Sequence, residues 1–376
     1  MKIGIMTFWW SQNNYGQILQ CYALQRYLRD QGHDAYLIRY RYEKDVSKSL
    51  PIKLLKVCNP VLLYTYLKNK KTFYTIATEQ KIHDRKFNEF RANHIKQSAL
   101  LYESYAELKA NPPDADCYIV GSDQVWSCVL SPIKSYKNIA NAYFLNFGSD
   151  KIKRIAYAAS WGTDTISKEY IKLIEPLIKR FNVVSVREEK GISLCTKCGY
   201  EGAVCCPDPT FLINPQIYFN EIAQTTENKT GKYIVLYMLN NTNTFNLNEV
   251  FIWAAQKKLE VKFITGNGLV DNRQKTFATI PEWLSLIKNA EYVITNSFHC
   301  ALFSILADTS FAVIPLSGRY KSLNCRMDSL FTLCEMENRF IHNYNFDLLE
   351  RKYSCDIKKI QWQARSFINE FLNDRD

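Results

Sequence analysis

The constraint that most limits this chain is a repeated alternation of short apolar runs with longer segments of helical period. Lys2 to Phe8, Ala35 to Tyr40, Cys117 to Val120, Arg154 to Ala159 and Val183 to Val186 each read as a buried strand. Between them, Gly16 to Asp30, Ile82 to Ala92 and Lys168 to Arg180 read as helices, the first with Leu19, Ala23 and Tyr27 on one face and Gly32 as its stop. Strands that read as apolar on both faces, separated by helices, imply an α/β fold with a mostly parallel sheet covered on both sides.

The pattern restarts after a polar stretch, Thr225 to Lys232. Tyr233 to Leu239, Val261 to Thr265, Tyr292 to Thr295 and Phe311 to Pro315 read as strands. Leu247 to Leu259, Pro281 to Asn289, Ala301 to Ala307 and Ile357 to Leu372 read as helices. Pro281 suits a first helical turn. The expected organisation is two Rossmann-like domains, 1–224 and 233–376, the second ending in a long helix, with the ligand cleft at the carboxyl ends of the strands.

Charge and cysteine content narrow the function classes. The net charge is +11, and much of it sits in one place. Residues 39–71 hold Arg39, Arg41, Lys44, Lys48, Lys53, Lys56, Lys68, Lys70 and Lys71 against Glu43 and Asp45, interleaved with apolar residues such as those of VLLYTYL. This basic excursion, near 41–75, fits peripheral contact with an anionic membrane surface; it equally fits helices packed on their own domain with lysines in water. Nucleic acid is not an expected partner, because none of the common binding motifs is present. No run of about 18 apolar residues exists, so no spanning helix is expected. The N-terminal MKIGIMTFWWSQNNYGQ lacks a signal-peptide pattern, which points to a cytoplasmic location, at most peripheral on the inner membrane face. The twelve cysteines fit reduced thiols. Cys195 and Cys198 form a C-x-x-C followed by Cys205 and Cys206, but adjacent cysteines suit one tetrahedral site poorly and no histidine lies near. A helix end followed by a buried strand is the preferred reading, and no metal site is expected.

Five loops at strand ends carry polar chemistry. Ser11 to Gly16 opens the first helix, and its backbone amides suit an anion or a sugar group, or Asn14 simply caps the helix. Gly121 to Trp126 brings Ser122, Asp123 and Gln124, where Asp123 is a candidate base or helix cap. Arg187 follows a buried strand and could hold a carboxylate or phosphate, or pair with a neighbouring glutamate. Asp208-Pro209-Thr210 forms a turn that Asp208 caps. Thr295 to Cys300 sets His299 at a helix start facing the cleft, where an anion and a general acid would be needed together. Arg319 and Lys321 follow the next strand and could add positive charge to the same rim, or simply end in water.

In this order, NNYGQILQCYALQRYL, YIVGSDQVW, RIAYAASWG, SVREEKG, PDPTFL and ITNSFHCALFSIL resemble the polysaccharide pyruvyl transferase family. The six stretches run from residue 13 to 306; the basic excursion matches none of them. The resemblance implies a GT-B-like pair of Rossmann-like domains facing a cleft. It also implies transfer of pyruvate from phosphoenolpyruvate to two hydroxyls of a sugar as a cyclic ketal, the sugar belonging to a bacterial surface polysaccharide or its lipid-linked precursor. Phosphoenolpyruvate is then a co-substrate and no cofactor is called for. On this reading His299 and Asp123 move protons, and Arg187, Ser297, Arg319 and Lys321 hold the donor. Asn13, Asn14, Tyr15, Gly16, Ser122 and Gln124 are the acceptor candidates. Two other readings stay open: a glycosyltransferase of the same architecture using a nucleotide sugar, and a non-catalytic membrane-surface partner in polysaccharide assembly.

Overall fold

The computed structural model describes residues 1–41, 74–75, 77–127, 133–224, 232–240, 244–266, 269 and 271–373. Its first sheet has seven parallel strands in the order β3-β2-β1-β4-β5-β6-β7. They are β1 (Lys2–Met6), β2 (Asp34–Tyr40), β3 (Gln97–Tyr102), β4 (Cys117–Val120), β5 (Lys153–Ala159), β6 (Val183–Val186) and β7 (Val204–Cys205). The second has four parallel strands, β8 (Tyr233–Met238), β9 (Glu260–Thr265), β10 (Tyr292–Thr295) and β11 (Phe311–Val313), in the order β11-β10-β8-β9. The chain is thus an α/β protein with two Rossmann-like sheets. In each, the strand order reverses beside the first strand, which opens a crevice at the strand carboxyl ends.

Every strand expected from the apolar runs is present, and β3 and β7 are added. β3 is an edge strand with Leu100 and Leu101 exposed, and β7 has only two residues, so neither carries the apolar signature of a central strand. The expected helix from Ile82 starts instead at Phe87, because Lys86 adopts a left-handed conformation (φ 55°). The helix expected at Ala301 begins at Phe298, since Ser297 caps it by accepting from the Cys300 N–H. Pro281 sits in the first turn of Ile280–Asn289 as expected, and Thr279 and Glu282 on either side of it form a reciprocal capping box. Cys195 lies in the helix Glu189–Lys197, Cys198 closes it, and Cys205 lies in β7. Burial pushes the Cys195 and Cys198 thiols up to about 12 and 11. The basic excursion lies outside the described residues except for Arg41, Tyr74 and Thr75, and so does the polar stretch except for Lys232.

The two halves share one core. A single apolar cluster includes Ile3, Leu19 and Tyr157 from the first half with Trp283, Phe303 and Ile368 from the second. At its centre Tyr15 stacks on Trp283, with ring centroids 4.7 Å apart and planes within 3°. The Tyr15 hydroxyl donates to Ala278 O at 2.6 Å. Arg85 reaches across to Thr265 O at 2.9 Å, and His83 stacks on Phe277 at 4.1 Å. The last helix, Ile357–Asn373, crosses back to the first half. There Gln361 and Arg365 donate to Ile213 O and Leu212 O, and Tyr27 donates to Asn369. Among the described residues, no helix is long and apolar enough to cross a membrane.

Tyr15→Ala or Trp283→Ala is expected to cost about 3–5 kcal/mol in urea unfolding. Trp283→Phe, which keeps a ring and removes an indole N–H that has no partner, should cost less than about half as much.

Candidate active site at the junction of the two sheets

Asp208 organises the carboxyl ends of the first sheet. It lies just beyond β7, between two prolines, which hold the backbone extended into a short turn, Pro209–Phe211. Its Oδ1 accepts from the Thr210 N–H at 3.0 Å and the Thr210 hydroxyl at 2.8 Å, the capping role the sequence suggested. Its Oδ2 accepts from Ser122 Oγ, which follows β4, and from Arg187 Nη1, which follows β6, both at 2.9 Å. His299 Nε2 stands 3.4 Å from the same oxygen, at ion-pair distance but without hydrogen-bond alignment. Asp208 is 1% exposed. Burial alone would raise its pKa, but facing His299 and Arg187 outweigh that and hold the carboxyl well below the usual carboxylate range. Asp208 is therefore a fixed anion.

Arg187 is 5% exposed, and its guanidinium lies 4.2 Å from the centroid of Phe298. Its Nε and Nη2 are buried and have no hydrogen-bond partner among the described residues. His299, also 5% exposed, comes from the second half at the first turn of helix Phe298–Leu306. It fits only because residue 16 is glycine: a Cβ there would stand 2.2 Å from His299 Cγ. The Tyr15–Trp283 stack and the Gly16–His299 contact thus lie side by side on the chain.

A further shell surrounds this cluster. Glu188 Oε1 accepts from Ser160 Oγ and from the Trp161 and Gly162 N–H groups at 2.7–3.0 Å, and Oε2 has no partner among the described residues. Asp123 is left-handed (φ 78°), a conformation uncommon outside glycine, and its Oδ1 accepts from the Gln124 N–H at 2.8 Å. Arg326, at the start of helix Cys325–Leu333, is 6% exposed, and burial beside Arg187 pushes its guanidinium down to about 10. A cavity of about 300 Å³ opens against Arg187 and Asp208, with Glu189, Phe298, Ser329 and Gln363 in its wall.

The sequence candidates fall into three groups. Arg187, His299, Ser122 and Gly16 meet in one cluster, and Asp123 faces Arg326 beside it. Others are used in the scaffold. Tyr15 is fully buried with its hydroxyl engaged by Ala278, which corrects its assignment to the acceptor. Asn14 caps the first helix, Asn13 O accepts from Tyr237, Ser297 caps the helix of His299, and Gln124 lies over Gly162. Lys321 is exposed in the turn Gly318–Asn324; Arg319 shares that turn, and its side chain lies outside the described ones. Three members were not singled out: Asp208 beyond its cap, Glu188 and Arg326. The available signal for Arg326 was a lone arginine between Cys325 and Met327, on a segment whose neighbours Leu323 and Leu330 are apolar.

Two parallel sheets with their strand ends converging on a junction lined by arginine, histidine and carboxylate define a GT-B-type fold with a polar interdomain site. The family model for polysaccharide pyruvyl transferase matches residues 14–318, and the chain belongs to that family of transferases. No curated protein matches it in sequence. Among solved structures it is similar to UDP-N-acetylglucosamine 2-epimerase from Rickettsia bellii, with TM-score 0.50 and 9% identity over 100% of this chain and 96% of that one. It is also similar to UDP-GlcNAc 2-epimerase from Neisseria meningitidis bound to UDP-GlcNAc, with TM-score 0.50 and 8% identity over the whole of both chains. These likenesses concern the fold.

Two variants test the geometry. Gly16→Ala normally favours a helix by up to about 1 kcal/mol; here it should lower stability in urea unfolding, because the methyl displaces His299. Asp208→Asn should cost about 3–5 kcal/mol at pH 7. A carboxyl whose folded pKa is depressed contributes fully above its unfolded value near ~4 and loses that contribution as pH falls further. The difference between Asp208→Asn and the native chain should therefore narrow between pH 5 and pH 2, read by urea unfolding across that range.

Proposed function

We propose that this protein transfers the pyruvyl group of phosphoenolpyruvate to two hydroxyls of a sugar, forming a cyclic ketal and releasing phosphate. The observation that carries the reading is the pair of buried, unpartnered Arg187 nitrogens beside His299. A buried cationic donor without an acceptor is costly unless an anion completes it. Phosphoenolpyruvate is a compact anion with a carboxylate and a phosphate, and it suits a guanidinium fork.

In the proposed reaction, His299 delivers a proton to carbon 3 of the enol, and carbon 2 becomes electrophilic. A sugar hydroxyl adds to carbon 2 and gives its proton to a base, for which Asp123 is the candidate. The bond from carbon 2 to the phosphate oxygen breaks, and phosphate leaves with the electron pair. The second hydroxyl then closes the ketal, and its proton leaves with the phosphate. Asp208, held ionised, keeps Arg187 and His299 in register and does not itself donate a proton. The chemistry needs proton transfer and charge stabilisation alone. The cavity of about 300 Å³ beside Arg187 and Asp208 is the proposed seat of the sugar, which is proposed to come from a surface polysaccharide or its lipid-linked precursor.

The deciding experiment is calorimetric titration of the full chain with phosphoenolpyruvate, alongside a nucleotide-sugar panel. Saturable phosphoenolpyruvate binding, lost in Arg187→Ala, is expected; binding of a nucleotide sugar in its place would overturn the proposal. His299→Ala should fold normally and lose turnover by ~10²–10⁴-fold in a phosphate-release assay.

A further inference from the structure

The cavity beside Arg187 and Asp208 has walls of two origins. Arg187 and Asp208 lie within residues 14–318, the stretch the family model matches; Ser329, Leu333, Gln363 and Phe367 follow it. Ser329 and Leu333 are one turn apart on helix Cys325–Leu333, and Gln363 and Phe367 are one turn apart on helix Ile357–Asn373. Residues at that spacing share a face, so each helix presents one polar and one apolar side chain to the cavity. Among the described residues, Ser329 Oγ and the Gln363 amide have no hydrogen-bond partner, while the Thr332 hydroxyl is turned back onto Asp328 O at 3.0 Å. The last helix is fixed through a different stripe. Gln361 and Arg365 donate to Ile213 O and Leu212 O, both at 2.8 Å, directly after the turn that Asp208 opens. The wall therefore stands in set register with Arg187.

Its charge limits what it takes. Among the described lining residues Arg187 is the single cation, against Glu189 and Asp208. With the open nitrogens of Arg187 given to the donor, a second anionic group would face Glu189 with no cation left to receive it. A pyranose ring instead presents a rim of hydroxyls and a face of C–H groups. Free hydroxyl and amide groups beside an aromatic ring complement that mixed surface. We propose that Ser329, Gln363 and Phe367 select the acceptor, and that they take an uncharged pyranose, its hydroxyl rim on Ser329 and Gln363 and its C–H face on Phe367. This rests on the reading that the cavity seats the sugar. It assigns acceptor choice to the last two helices and leaves the donor to Arg187 and His299.

The test is saturation-transfer NMR on the full chain with methyl glycosides: those of glucose, galactose, mannose and N-acetylglucosamine, with methyl glucuronide as the acidic probe. Phosphoenolpyruvate affinity is measured alongside by calorimetry. At least one uncharged glycoside should bind, and the glucuronide should not compete with it. Ser329 is half-buried and Gln363 exposed, so Ser329→Ala and Gln363→Ala should fold. Each should weaken that glycoside by about three- to tenfold and leave phosphoenolpyruvate affinity unchanged. Phe367→Leu, which stays apolar and loses the ring, should weaken it as well. Native glycoside affinity in the folded double variant Ser329→Ala/Gln363→Ala overturns the proposal, as does a preference for the glucuronide. An equal loss of glycoside and phosphoenolpyruvate affinity overturns it too, since it marks a merely structural role. If a glycoside binds through Gln363 and phosphoenolpyruvate does not bind, the donor reading fails and the acceptor wall stands. If phosphoenolpyruvate binds and no glycoside does, the wall fails and the donor reading stands. Binding of neither overturns both.

Discussion

A carboxylate with almost no contact with water sits at the point where the two halves of this molecule meet. Moving such an ion into a medium of dielectric constant about 4 would cost on the order of 20 kcal/mol in isolation. Asp208 avoids that cost only because both oxygens are occupied: Oδ1 by two donors of Thr210, Oδ2 by Ser122 and Arg187, with His299 close by. Each of those partners sits on a different element, so the ends of β4, β6 and β7 and the helix of His299 are tied through one side chain. Buried pairs of this kind add little net stability compared with an apolar core. What Asp208 supplies is placement, since it sets where Arg187 and His299 stand.

That placement needs the two halves to be held together by something other than the charges. The Tyr15–Trp283 stack and the continuous apolar cluster provide it. Tyr15 and Gly16 are adjacent in sequence and serve both requirements: one ring is buried in the shared core, and the missing side chain next to it admits the His299 ring. The crossing of the last helix back to the first half closes the same contact from another side, through Gln361, Arg365 and Asn369.

Around this hub the backbone departs from regular strand geometry where chemistry is expected. Ala158 is left-handed (φ 49°) where the β5–β6 register shifts, and Asp123 is left-handed beyond β4. The shift near Ala158 ends the strand so that Ser160, Trp161 and Gly162 turn their donors onto Glu188. Residues in such sparsely populated conformations persist when the surrounding hydrogen bonds over-determine them. Here the Ala158 N–H donates to Ser185 Oγ, and Asp123 O accepts from the Val125 and Ser160 N–H groups. The edge of the site is thus built as rigidly as its centre.

The apolar runs and helical periods by themselves determined the parallel α/β organisation, because buried parallel strands must be apolar throughout and their linking helices amphipathic. Local punctuation was equally legible: the first-turn Pro281 and the turn at Asp208-Pro209-Thr210 depend on residues within a few positions. The ordered motifs also brought Arg187, Ser122, Gly16 and His299 forward as candidates. Only the tertiary structure decided that Arg187, Ser122 and His299 meet on Asp208, that Gly16 makes room for the His299 ring, that Tyr15 belongs to the core, and that Ser297 caps the helix of His299. The reason is physical. A cap or a period is written in neighbours along the chain, whereas the partner of a buried charge lies some twenty to two hundred residues away. Nothing in the local pattern distinguishes an arginine that ends in water from one that is buried, as Arg187 and Arg326 are.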